Sequence, residues 1–115
     1  MSAPPGLTPQ LTAFNEELAS ICSDPPPVTK SKMKTITLRA MKANRTYKHV
    51  VQNVEKFISK SEPRYKLAGL YVMDSIIRRS RAEFGPDRDV YAPRFQKVRQ
   101  IFLLTTFADF LGSFF

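Results

Sequence analysis

Tyr71, Asp74, Ser75 and Arg78 fall at i, i+3, i+4 and i+7 of one stretch, GLYVMDSIIRRSR, from Gly69 to Arg81. On an α-helix that spacing stacks them into a single polar ridge. The chemistry it offers is recognition: Asp74 accepts hydrogen bonds, Tyr71 and Ser75 supply hydroxyls, and Arg78 presents a guanidinium fork suited to phosphate or carboxylate. The residues between them, Leu70, Val72, Met73, Ile76 and Ile77, are apolar enough to be packed around most of the helix. A carboxylate in that setting is costly unless something pairs with it. A ligand can be that partner, and so can Arg78 itself, four residues on, or a neighbouring helix.

A second group lies upstream. Thr29 is a suitable N-cap, and Lys30, Lys32 and Lys34 crowd the first turns of the helix it would open, opposing the helix dipole. Ammonium groups at a positive helix end make sense where an anion is meant to sit, and ordinary solvated lysines are the alternative. Other chemistry has little support. His49 has no Ser, Cys or carboxylate placed near it by sequence and is assigned none. There is no Gly-rich phosphate loop, no carboxylate pair set in an apolar pocket, and no His-Cys ligand set, so neither a catalysed reaction, a cofactor, a metal nor a small-molecule substrate is expected.

The elements that carry these groups are helical: apolar residues recur at helical spacing, and no segment shows a period-two strand pattern. An all-α fold is predicted. The first helix runs from Thr8, its N-cap, through Pro9 to Ile21, burying Leu11, Phe14, Leu18 and Ile21. Ser23, Asp24 and the prolines 25–27 end it. The second follows Thr29 and turns Met33, Ile36, Ala40 and Met41 inward. The third, Asn44 to Ser59, has Tyr47, Val50, Val51, Val54, Phe57 and Ile58 on one stripe. Pro63 starts the fourth, which stops near Phe84-Gly85-Pro86. A fifth helical segment begins around Asp87, with Pro93 in its first turns.

With 115 residues there is room for one domain, and the formal charge of +8 favours RNA, DNA, anionic lipid or a phosphorylated peptide as partner. Between Lys30 and Lys66 lie eleven of the eighteen Lys and Arg residues, against Glu55 and Glu62 alone. Cys22, the sole cysteine, is expected to be a buried, inert thiol in a reducing compartment. MSAPPGLTPQ has neither a basic n-region nor a long apolar h-region, so a cytosolic or nuclear location is expected.

The segments PPPVTKSKMKTIT, YKHVVQNVEKFISKSEPRYKLAGLYVMDSIIRRSR and EFGPDRDVYAPRF together resemble the CTD-interacting domain (CID) of the SR-related CTD-associated factors, over roughly Phe14 to Phe95. YKHVV, VEKFI, GLYVMDSI and APRF stand in the order and spacing of that family. The resemblance implies a right-handed superhelix of eight α-helices, related in architecture to the superhelices of endocytic adaptors. It implies a nuclear module that binds the phosphorylated YSPTSPS heptads of the largest RNA polymerase II subunit and so links transcription to mRNA processing or termination. The peptide would lie as a β-turn in a groove lined by the second, fourth and seventh helices. Asp74 would accept a peptide hydrogen bond, with Tyr71 and Ser75 beside it and Arg78 one turn on, and Lys30, Ser31 and Lys32 would form the phosphate-contacting end. RNA contacts are expected in other regions of longer relatives.

After Phe95 the resemblance fades. Residues 1–8 read as a flexible start, 9–97 as a partial CID with about five of the eight helices, and 98–115 as a divergent apolar tail. Lys97-Val98-Arg99 is what read-through of a splice donor encodes, so the tail is expected to be intron-derived. With the seventh helix and its arginine missing, weak or no peptide binding by this chain alone is expected. Two rivals are a phosphoinositide-binding superhelix, whose basic amino-terminal amphipathic helix has no counterpart in Met1 to Leu18, and a basic RNA-binding module using the Lys30 to Lys66 face, where no exposed aromatic platform is evident. Neither rival, nor a membrane partner, is favoured.

Overall fold

The structure, a computed structural model, describes residues 7–96 and Gln100. The expected tail, 98–115, therefore falls outside the described residues apart from Gln100. Four α-helices are set out in order: α1 (Pro9–Ala19), α2 (Lys30–Lys42), α3 (Tyr47–Lys60) and α4 (Pro63–Arg88), with short 3-10 turns at Ser20–Ser23 and Asn44–Thr46. Residues 91–96 are also helical, and no strand occurs among the described residues. No helix among them is long and apolar enough to cross a membrane.

Local chemistry explains the boundaries. Thr8 caps α1, its hydroxyl accepting the Leu11 N–H at 3.1 Å, with Pro9 at the first helical position, where its missing N–H costs nothing. Thr29 caps α2 in the same way, accepting from the Lys32 N–H at 3.1 Å. The α-helical part of the first helix ends at Ala19, and the 3-10 turn after it still carries Ile21 into the core. That turn also corrects the reading of Cys22: the residue beside Ile21 points outward, and the thiol is exposed. Asn44 opens a 3-10 turn, not the helix itself, so α3 begins at Tyr47. Gly85 breaks α4 with φ 77°, a conformation that favours glycine, and Pro86 follows it.

Phe14 of α1, Ile36 of α2, Val54 and Ile58 of α3 and Ile76 of α4 are all fully buried in one core. The α3–α4 contact is close enough to require Gly69. A Cβ there would lie 2.7 Å from Ile58 Cγ1 and 3.0 Å from Phe57 Cδ1. Gly69→Val is expected to lower stability by about 2 kcal/mol through overpacking, read as a fall in the urea midpoint at constant slope; an unchanged midpoint would show that the two helices separate freely.

Three hydrogen bonds set the relation between α2 and α4. The Tyr65 hydroxyl, near the start of α4, donates to the carbonyl of Asp24, upstream of α2, at 3.0 Å. Thr37 and Ser75 share a hydroxyl hydrogen bond of 2.7 Å midway along. Beyond α4, the Tyr91 hydroxyl donates to the Ala40 carbonyl near the end of α2 at 2.6 Å. Starts meet and ends meet, so the two helices run side by side in the same direction.

Candidate phosphopeptide groove

Between α2 and α4 lies an open groove of about 860 Å³. Lys30, Met33, Lys34 and Thr37 line it from α2, at the i, i+3, i+4, i+7 positions of one face. Tyr71, Ser75, Arg78 and Arg79 line it from α4. Val28 and Leu38 add apolar surface.

Of the seven residues singled out from sequence, four meet here: Lys30, Tyr71, Ser75 and Arg78. Tyr71 stands 58 % exposed, a large aromatic ring left uncovered beside the core. Ser75 is half-buried and tied across to Thr37, whose own hydroxyl is anchored on the Met33 carbonyl at 2.7 Å. That pair forms a polar crossbar between the walls. Asp74 is not among the lining residues; it pairs with Arg78 on the same helix, the arrangement that i, i+4 spacing allowed from the start. Arg78 nonetheless keeps 77 % of its side chain exposed and lines the groove, so donors remain free for an anion.

Ser31 and Lys32 stand apart from the groove lining. Ser31 is exposed and its carbonyl accepts from the Thr35 hydroxyl. Lys32 turns toward α1, where its ammonium group donates to the Ser20 hydroxyl at 2.6 Å and lies 3.6 Å from a Glu17 carboxylate oxygen. Glu17 also faces Arg39 at 3.9 Å, so one carboxylate serves two cations of α2.

Lys34, which the sequence grouped with Lys30 and Lys32 at an anion-suited helix start, lines the groove, and so does Arg79, which the sequence did not single out. The signal for Lys34 was present, since it stands one turn after Lys30 on the same face. Neither Lys30 nor Lys34 has an anionic partner among the described residues, and like charges at i, i+4 repel each other. Arg79 approaches Glu83 at 3.9 Å, with both side chains largely in solvent, a contact worth little. A groove with this many unneutralised cations suits an anionic ligand.

Asp89 is the other feature that sequence reading missed. Its side chain is 2 % exposed, yet it is fully engaged: one carboxylate oxygen accepts from the Ser80 hydroxyl of α4 and from the Tyr91 and Ala92 N–H groups at 3.0 and 3.1 Å. It caps the helical segment 91–96, so the expected start near Asp87 moves two residues on. The Tyr91 phenol is pushed well above its ordinary pKa by burial. A second hollow, of about 920 Å³, opens between α3 and this segment, with the exposed His49 on its wall beside Tyr47, Lys48 and Arg94. Among the described residues no group of three or more His, Cys, Asp or Glu side chains is arranged to hold a metal.

The class these features define is a helical ligand-binding domain, and comparison with known proteins gives it a family. The model of the CID domain matches residues 12–110, and the chain belongs to that family. It is 56 % identical over 87 residues to human SR-related and CTD-associated factor 4, a match covering 76 % of this chain and 8 % of the relative. It is 58 % identical over 82 residues to SR-related and CTD-associated factor 8 of Mus musculus, covering 71 % of this chain and 6 % of the relative. The chain thus spans under a tenth of the length of these relatives.

Proposed function

We propose that this chain is a binding module for the phosphorylated carboxy-terminal heptads of RNA polymerase II, acting in the nucleus where transcription meets mRNA processing or termination. The observation that carries the reading is the α2–α4 groove of a CID-family chain, in which Lys30 and Arg78 face the same space as the uncovered Tyr71 ring. The relatives' names, CTD-associated factors, agree with it. In this reading Lys30 and Arg78 attract phosphate, Tyr71 packs against the peptide chain, and Ser75 and Asp74 accept or donate at peptide polar groups. Lys32 acts at one remove, by holding the start of α2 against α1. No bond is made or broken.

Each charge-assisted contact with a phosphate is worth about 1–3 kcal/mol, and the groove is open, so single-heptad affinity is modest and rises with repeated heptads. Fluorescence anisotropy with a phosphorylated heptad pair tests this. The Lys30→Gln, Arg78→Gln double variant is expected to weaken binding at least tenfold while its circular dichroism stays unchanged. Equal binding of phosphorylated and unphosphorylated peptide would refute the reading.

A further inference from the structure

The second hollow, between α3 and the helical segment 91–96, shares no lining residue with the α2–α4 groove. Its floor is apolar: Val51 is buried, and Val90 and the Tyr47 ring are half-buried beside it. Its rim is cationic. Lys48 from α3 and Arg94 from segment 91–96 are exposed, and neither has a carboxylate within ion-pair distance among the described residues. The counterpart of such a surface is an apolar segment that carries a negative charge. Segment 101–115 of this chain has that composition: ten of its fifteen residues are apolar, and Asp109 is its only charged side chain.

We infer that segment 101–115 docks on this hollow within the same molecule, its phenylalanines against Tyr47, Val51 and Val90 and the Asp109 carboxylate toward Lys48 and Arg94. Connectivity favours this occupant. Segment 91–96 forms one wall of the hollow, and Ile101 follows Gln96 by five residues, so the docking segment begins close to the surface it covers. Fully extended, fifteen residues reach about 50 Å, whereas α3 is about 21 Å long, so every part of the hollow lies within range. A tethered segment acts at an effective concentration on the order of millimolar, which at micromolar protein outcompetes a second copy. Burial of the apolar side chains holds the segment down, and the charges set its direction. Glu55 also lines the hollow, but it stands seven residues from Lys48, about 10 Å along α3, so Asp109 meets the cations clear of it.

Photocrosslinking of the full 115-residue chain tests this. The photoreactive residue p-benzoylphenylalanine replaces Phe107, and isotope-labelled and unlabelled chains are mixed in equal amounts at low micromolar concentration. Irradiation is expected to join position 107 to residues 47–55 or 90–94 of its own chain, seen by mass spectrometry as crosslinked peptides of uniform isotope content. Mixed-isotope crosslinks to those residues would show that a second copy covers the hollow, and crosslinks elsewhere, or none, would show that the segment does not dock there; each of these results overturns the inference. The double variant Lys48→Glu, Arg94→Glu changes two exposed positions and should cut the crosslink yield by about threefold with circular dichroism unchanged. Adding Asp109→Arg should restore the yield to within about twofold of the parent chain. A loss that Asp109→Arg does not restore would overturn the charge pairing. The inference stands apart from the phosphopeptide reading, since the α2–α4 groove enters none of these outcomes.

Discussion

Asp89→Ala is expected to destabilise the fold by about 3 kcal/mol, because it strands two buried backbone N–H groups and the Ser80 hydroxyl without an acceptor. Asp89→Asn keeps an oxygen in the capping position and should lose only about 1 kcal/mol. Paired urea titrations of the two variants separate the hydrogen-bonding role from the charge. Equal losses would show that charge dominates, with Arg81, 4.0 Å from the carboxylate, as the partner that matters. The effect reaches the groove: Ser80 directly follows Arg78 and Arg79, so the Asp89 clasp steadies the turn of α4 that carries both arginines. Phosphopeptide binding should therefore weaken in the alanine variant even below its unfolding transition.

The second large effect lies at the other side of the core. Phe14 is fully buried, and it joins α1 to a cluster that includes Ile36, Val50 and Val54. Phe14→Ala removes that packing and leaves a cavity, for which the expected loss is about 3–5 kcal/mol. In a domain of this size, that is much of the total stability. Thermal unfolding followed by circular dichroism should show a fall in midpoint of more than ten degrees, or a broad transition with no native baseline. A shift of a few degrees would mean that α1 is a loosely docked arm. Because Glu17 and Ser20 of α1 hold Lys32, loosening α1 would also free the start of α2.

Much of the fold was legible because local chemistry and packing agree. Thr8 with Pro9, Thr29 and Gly85 each have one structural use in their context, and each marks the boundary its residue type suggests. The stripe Val50, Val51, Val54 and Ile58 on α3 is buried as its spacing predicted. Asp89 was not legible, because Asp87 precedes the same segment and only the fold shows which carboxylate meets Ser80. Cys22 was misjudged for a related reason: a 3-10 turn rotates adjacent residues by more than an α-helix does, and composition gives no sign of where one changes to the other. Of the three lysines at the start of α2, Lys30 and Lys34 face α4 while Lys32 faces α1, a division that follows from helical periodicity once the docking direction is known. The crossbar from Thr37 to Ser75 joins residues 38 apart in sequence, and no local pattern announces it.

The most direct test of the central claim is a nuclear magnetic resonance titration of the isotopically labelled chain with a phosphorylated heptad pair. Shift changes concentrated at Lys30, Lys34, Tyr71, Ser75 and Arg78 are the predicted result, with His49 and Arg94 in the second hollow unmoved. Changes concentrated around His49 and Arg94, or none at millimolar peptide, would contradict it.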